Sequence, residues 1–173
     1  MIYLDTLHRN YLPALRMWRN QLKSVCREYK DISAYHQERW FDEYEKQAYE
    51  PFPKTLLWGI YHEGDDKKPM LIGVGGWTYI NWHTKRAELT YYLAPEMTGK
   101  GYGKAALKLL IDKGFKDLAM HTLYGEVHDF NDASYKCMIR CGFNPAGQWK
   151  DAAIDKDGNY CNVNLLEMVR EAS

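Results

Sequence analysis

The chain has 173 residues, of which 46% are hydrophobic and 27% charged, and its 23 Lys and Arg residues balance 23 Asp and Glu residues. This length predicts a single domain over residues 1–173, large enough to bury a core without disulfides or a structural metal. A formal net charge of zero argues against a general nucleic-acid binder, which normally carries a basic surplus.

The cysteines and the N-terminus indicate a cellular compartment and do not indicate a metal site or a catalytic group. No CxxC pair and no Cys/His spacing of a zinc site is present, so no metal site is expected. Of the four cysteines, Cys26, Cys137, Cys141 and Cys161, the pair Cys137 and Cys141 would share a face of a helix, and it is interpreted as two small buried apolar side chains in a reducing compartment. The chain starts without a signal-peptide pattern and has no apolar run of membrane-spanning length, which favours a cytoplasmic protein without a membrane partner.

The first fifty residues predict a short strand followed by helices. Residues 2–7 partly alternate apolar and polar side chains, as in a strand. Residues 8–49 carry apolar side chains at helical spacing and predict two or three helices, with Ser33 as an N-cap.

Three strands are predicted next, over residues 55–62, 70–80 and 86–93. The first two are expected to pair as an antiparallel hairpin. Gly75 and Gly76 inside the second strand indicate either a bulge or a close approach of another backbone.

The C-terminal half alternates helices and strands. It comprises a helix with one apolar face over residues 107–118, a strand at 121–128, a helix from Asn131 to Gly142, and strands at 144–154 and 160–169. The turn at residues 157–159 is a hairpin signal between the last two strands. This mixed order predicts an α/β (α+β) protein with a central sheet and helices on its faces.

Residues 93–104 join the end of a strand to the start of a long helix through a glycine-rich turn. Gly99, Gly101 and Gly103 allow a positive φ and leave backbone N–H groups uncovered, and the helix N-terminus adds partial positive charge. Lys100 and Lys104 add side-chain charge. The spacing matches neither a Walker loop nor a Rossmann fingerprint, so this loop is either a pyrophosphate cradle or a tight turn without a ligand.

The segment of residues 93–104 resembles the acyl-CoA-binding motif of the GNAT acetyltransferases, in which Gln or Arg is usual where Thr98 stands. The resemblance implies acetyl-CoA as the cofactor and a mixed, mostly antiparallel sheet of about six to seven strands flanked by helices on both faces. It also implies contacts of the loop with the cofactor, at Thr98, Gly99, Lys100, Gly101, Tyr102, Gly103 and Lys104.

A second segment, Asn131 to Ser134 followed by Gly142 and Phe143, resembles the later motif of the same family. The resemblance implies that Asn131 and Ser134 line the CoA arm, although Asn131 is also suited to cap a helix. Met138 stands at the position of the family's usual tyrosine acid and cannot donate a proton.

The chemistry of acyl transfer from a thioester to an amine requires a base and oxyanion donors. Glu88 is the candidate general base, because residues 87–91 fit the family's glutamate context, and Glu126 on the next strand is the reserve. The resemblance implies that the backbones of Tyr91 and Leu93 contact the pantetheine, with the Leu93 N–H as the oxyanion donor. Tyr135, Tyr124 and His128 remain unassigned as acids.

The acceptor is left open by the sequence. Residues 18–20 and 36–41 resemble a GNAT branch with ribosomal-protein N-terminal and amino-sugar acetyltransferases, although a core tryptophan with surface charges explains them equally. Three hypotheses compete: an N-acetyltransferase of a small or peptide amine, an inactive acyl-CoA-binding module, and a transferase acting on a larger target such as nucleic acid. A homodimer is also left open.

Overall fold

The computed structural model describes residues 1–26, 30–64 and 67–171, and these residues form one sheet with helices on both of its faces. The strands are β1 (Ile2–Thr6), β2 (Leu56–Glu63), β3 (Pro69–Asn81), β4 (Arg86–Leu93), β5 (Thr122–His128), β6 (Asn144–Ile154) and β7 (Tyr160–Val169). The helices are α1 (Leu12–Gln21), α2 (Ala34–Ala48), α3 (Tyr102–Asp112) and α4 (Asp132–Arg140).

The seven strands lie in the order β1-β2-β3-β4-β5-β7-β6. Every neighbouring pair is antiparallel except β4 and β5, which run parallel. The sheet is therefore mixed and mostly antiparallel, which confirms the predicted fold class.

The pairing of β4 with β5 is short. It covers only residues 86–88 of β4 and 122–124 of β5, so the two strands separate beyond Glu88 and Tyr124. We call the opening between residues 89–93 and 125–128 the β4–β5 gap. It lies in the middle of the sheet, because β3 and β7 hold the outer edges of the two strands.

Each face of the sheet has its own apolar core. Helices α3 and α4 pack on one face, where the buried residues include Trp77, Leu89, Leu107, Leu110, Leu123 and Met138. Helices α1 and α2 cover the β1–β4 half of the other face, where the buried residues include Leu12, Leu15, Trp18, Phe41 and Val74. Trp18 is thus a core residue, as one of the two interpretations of its segment required.

The predicted elements lie within a few residues of those observed, and β4, β6 and β7 have the predicted bounds. The Ser33 hydroxyl accepts a hydrogen bond from the His36 N–H, which confirms the predicted N-cap. Helix α3 ends at Asp112, and a π-helical turn over Lys113–Asp117 follows it directly. The predicted apolar face over residues 107–118 therefore runs through both elements to the C-cap, Leu118.

Gly75 and Gly76 allow close packing rather than a bulge. A Cβ on Gly76 would overlap the carbonyl oxygen of Leu56, and one on Gly75 would lie 2.8 Å from a Leu110 methyl group. The register of β3 shifts elsewhere, between Thr78 and Asn81. Of the two predicted alternatives, the close approach is correct.

Cys137 and Cys141 are less buried than the sequence suggested. Cys161 is buried, whereas Cys26, Cys137 and Cys141 are half-buried. In the described parts of the chain, no helix combines the length and the apolar character needed to cross a membrane.

Replacing Gly76 by alanine should lower the free energy of unfolding by roughly 3 kcal/mol, because the new methyl group must displace the backbone of β2. Urea unfolding measures the loss. Gly103→Ala is the matched control, since a Cβ there would meet its nearest neighbours at 3.9 Å and alanine favours a helix. Equal losses in the two variants would contradict the packing argument.

Candidate active site

The backbone of β4 presents amides to the β4–β5 gap. The Ala94 N–H donates to the Ile72 carbonyl at 2.8 Å, so the alternate residue Tyr92 also faces β3. The intervening residues, Tyr91 and Leu93, therefore direct their N–H and C=O groups toward the gap. This is the orientation that the predicted roles of Tyr91 and Leu93 require.

The glycine loop and the start of α3 lie directly after β4. Gly99 and Gly101 have φ values of +73° and +84°, and a Cβ on either would meet nothing within 4 Å. These glycines therefore set the backbone direction and leave the loop surface open. Gly101 occupies the N-cap without a side-chain cap, so the first N–H groups of the helix, at Tyr102, Gly103 and Lys104, have no acceptor within α3.

Thr98 differs from the glycines of the loop because its polar groups are bonded within the preceding turn. Its N–H and its hydroxyl both donate to the Pro95 carbonyl, at 3.2 Å and 2.8 Å. The residue closes the turn before the glycines, so its amide is already used. Lys100 and Lys104 are exposed and add positive charge beside the uncovered amides.

Glu88 lies at the closed end of the β4–β5 gap. It is 4% exposed and is the last β4 residue paired with β5, opposite Tyr124. Because Leu89 faces α3 and α4, strand alternation turns Glu88 and Thr90 toward the α1 and α2 face. Glu126 is half-buried on β5, two residues beyond Tyr124, and shares this face.

The hydroxyl of Tyr91 meets the side chains of α4. It hydrogen-bonds Ser134 and Cys137, and its pKa is raised above the ordinary range, first by burial and then by the Cys137 thiol. Met138, one residue further along α4, is buried, and its methyl group lies 2.5 Å from where a Cβ on Gly125 would be. Met138 therefore fills the core against β5.

Asn131 joins two parts of the site. Its Oδ1 accepts from the Ser134 N–H at 3.2 Å, which confirms that it caps α4. Its Nδ2 donates to the Val25 carbonyl at 3.3 Å, so the cap also ties α4 to the chain that follows α1. The contacts of Asn131 and Ser134 with a cofactor stay predictions.

The three unassigned acid candidates lie on α4 and β5 and have different surroundings. Tyr135 is half-buried on α4 against the core, and Tyr124 packs beneath the Arg86 guanidinium, 4.3 Å from its ring centre. His128 is buried at the end of β5 with its ring 5.1 Å from that of Phe130. The arrangement assigns none of them as the acid.

Two cavities flank the Glu88 position. The helix-side cavity, of about 430 Å³, lies between α1, α2 and strands β2–β4, and its polar lining includes Arg19, His36, Gln37, Trp40, Thr78 and Thr90. The open-face groove, of about 640 Å³, runs over β5, β7 and β6, and its lining includes Arg86, Tyr124, Glu126, Trp149 and Glu167. Each cavity is lined by one strand partner of Glu88: Thr78 of β3 lines the helix-side cavity, and Tyr124 of β5 lines the open-face groove.

Sequence reasoning found part of the helix-side cavity. Arg19, His36, Gln37 and Trp40 belong to the two short segments that resemble a GNAT branch. Thr90 was missed, although strand alternation places it on the same face as Glu88 and could have identified it.

Comparison with known proteins shows to which protein family the chain belongs. Residues 2–144 match the sequence model of the acetyltransferase (GNAT) domain. The chain is 32% identical over 100 residues to an uncharacterized N-acetyltransferase p20 of Bacillus licheniformis, covering 58% of this chain and 56% of that relative. It is 30% identical over 106 residues to a spermidine N(1)-acetyltransferase of Vibrio cholerae, covering 61% of each.

A solved structure, the spermidine N-acetyltransferase from Vibrio cholerae in complex with CoA and spermine, superposes with a TM-score of 0.83 over 97% of this chain and 95% of that one, at 22% identity. The likeness extends over the whole fold, whereas the matched sequence segments span only 56–61% of the two sequence relatives. The chain belongs to the GNAT acetyltransferase family, as the two motifs predicted.

The raised pKa of Tyr91 makes the free energy of unfolding decrease as the pH rises into the alkaline range. The unfolded chain releases the phenolic proton near pH 10, whereas the folded chain retains it. The contribution of Tyr91 is therefore complete below pH 10 and is lost above it, by up to about 1.4 kcal/mol per pH unit. In urea unfolding between pH 9 and 11, Tyr91→Phe should lose stability less steeply than the parent, and parallel curves would contradict this assignment.

Proposed function

We propose that this chain, as a single domain over residues 1–173, is an acetyl-CoA-dependent N-acetyltransferase that acts on a primary amine of a small molecule or peptide. The observation that carries the proposal is the β4–β5 gap, which has the Leu93 and Tyr91 amides on one side and the buried Glu88 at its closed end. A cytoplasmic location remains part of the proposal and rests on the four free cysteines.

The glycine loop fits the pyrophosphate of coenzyme A. Positive φ at Gly99 and Gly101 and the uncapped start of α3 expose several N–H groups together, which suits an anion. Lys100 and Lys104 add positive charge. The loop follows Leu93 directly, so a pantetheine arm leaving the loop reaches the amides of the β4–β5 gap.

The residues of the gap can perform three tasks. Acetyl-CoA, when bound, supplies the activated acyl group. Glu88 accepts the proton that the acceptor ammonium must lose, directly or through water. The Leu93 N–H donates to the acyl oxygen as negative charge develops there during attack by the amine nitrogen. Bond formation between nitrogen and the acyl carbon and cleavage of the carbon–sulfur bond give an amide and the thiol.

The kind of acceptor is supported by the relatives and by charge. Three of the sequence relatives are named as spermidine acetyltransferases, which favours a small amine. The zero net charge gives no support to a nucleic-acid target. Thiol release from acetyl-CoA with a panel of amines tests the proposal directly.

Replacing Glu88 by glutamine should lower kcat/KM for the preferred amine by about 100-fold or more at pH 7, because a general base is lost. The deficit should shrink toward pH 9.5, where more of the acceptor arrives without its proton. Initial rates across this range measure the effect, with Glu126→Gln as the control. Unchanged turnover in Glu88→Gln would remove Glu88 as the base.

Gly101→Ala should weaken coenzyme A binding. Gly158 in the β6–β7 turn is the matched control, because its φ is +87° and a Cβ there also meets nothing within 4 Å. Both variants should lose roughly 1 kcal/mol of folding stability from the left-handed conformation. Only Gly101→Ala should also show a smaller rise of Tm with coenzyme A.

Equal rises of Tm in these two variants would remove the loop from the cofactor site. A rise of Tm with acetyl-CoA, but no turnover with any amine, would instead support the alternative of an acyl-CoA-binding module, for which Met138 at the position of the usual acid is the structural argument.

A further inference from the structure

A buried hydrogen-bond acceptor on the helix-side cavity lacks a partner within the described part of the chain. Gln37 on α2 is 7% exposed and lines this cavity, and its Oε1 has no hydrogen-bond partner among the residues that the structure describes. A buried amide oxygen left unpaired costs free energy, so such a group normally meets a donor. A molecule that fills the cavity and brings an N–H or O–H group would supply one.

Apart from Arg19 and His36, the lining of the cavity is apolar or uncharged, and it includes no Asp or Glu among its described residues. Leu15, Leu57 and Val74 provide aliphatic walls, and Trp40 and Tyr92 provide aromatic ones. Arg19 places a guanidinium on the lining. An occupant carrying a second ammonium group would therefore lose its hydration without gaining a carboxylate.

Three of the four carboxylates of α2 are held on another side of the helix. Glu38, Asp42 and Glu45 all bind the Arg9 guanidinium, at 2.8, 2.7 and 2.5 Å. This cluster lies outside the cavity lining, so the acidic appearance of α2 in the sequence does not give the cavity a negative charge.

The cavity adjoins the base proposed above. Thr78 is paired with Glu88 across β3 and β4, Thr90 follows Glu88 on the same face, and both threonines line the cavity. An amine seated there reaches Glu88 from the face opposite α3 and α4.

We infer that the helix-side cavity binds the acceptor, and that the acceptor is an amine with a single positive charge, an apolar or aromatic body, and a hydrogen-bond donor for Gln37. The inference rests on the proposed acetyltransferase activity. Gln37 is a specificity-determining residue in this site. The preferred class differs from spermidine, after which several relatives are named.

The charge requirement is tested with two acceptors of equal length, hexylamine and 1,6-diaminohexane. The wild-type enzyme should acetylate the monoamine with a kcat/KM at least about tenfold higher, because the diamine must bury its second ammonium or deprotonate it. A preference for the diamine that is lost in Glu167→Gln would move the acceptor to the open-face groove and overturn the inference, while leaving the acetyltransferase function intact.

The donor requirement is tested with phenethylamine and tyramine, which differ by one hydroxyl. Tyramine should have a KM about tenfold lower in the wild type, because its hydroxyl satisfies the Gln37 oxygen. Gln37→Leu should abolish this difference. Gln148→Leu is the matched control, since Gln148 is exposed on β6 and bonds Asn164 outside the cavity. Equal KM values for the two amines in the wild type would overturn the role of Gln37.

Binding gives a readout that does not depend on turnover. Calorimetry of tyramine with the coenzyme A complex should show binding to the wild type and Gln148→Leu, and weaker binding to Gln37→Leu. Absence of turnover with every amine, together with a normal rise of Tm with acetyl-CoA, would refute the acetyltransferase function, and the inference would fall with it. Turnover of other amines without any of tyramine or hexylamine would refute the inference alone.

Discussion

The separation of β4 from β5 after three residue pairs is the constraint on which the rest of the site depends. Both strands keep their outer partners, since β3 follows β4 to Leu93 and β7 follows β5 over its whole length. The opening therefore arises in the middle of a continuous sheet, between two strands that are each paired on their outer side. Backbone groups facing such an opening need a polar partner, and a flexible arm carrying amides can supply it. Glu88 is placed at the one point where the opening closes.

Local chemistry made most of the elements predictable. Ser33 and Asn131 could be recognised as caps because a side-chain oxygen bonds an N–H two or three residues later, and Gly99 and Gly101 because a loop that turns into a helix needs a positive φ. Local sequence patterns do not predict the short β4–β5 pairing, since strand register depends on partners distant in sequence. The helix-side cavity depends likewise on how α1 and α2 pack across the sheet, so strand alternation could place Thr90 on the face of Glu88 but could not show that a cavity lies there.

Met138 shows how a departure from the family pattern is accommodated. A methionine here fills the space against Gly125, where a side chain on β5 would collide with it. The position has become part of the core, and the hydroxyl of Tyr91 is bound to Ser134 and Cys137 instead. In the proposed reaction the loss of a tyrosine acid is tolerable, because thiols ionise near pH 8.5 and a thiolate can leave without receiving a proton first. The base then carries the larger part of the proton chemistry.

The charge of the helix-side cavity affects how easily the acceptor ammonium transfers its proton to Glu88, the proposed base. An ammonium ion surrounded by apolar walls has its pKa lowered, because burial disfavours the charged form. A carboxylate on the lining would oppose this shift by stabilising the ammonium. Arg9 binds three of the four carboxylates of α2 away from the cavity, and in doing so it preserves the environment that eases proton transfer to Glu88. In the proposed enzyme, selection against a second cation and activation of the attacking amine thus follow from the same lining, which carries no carboxylate among its described residues.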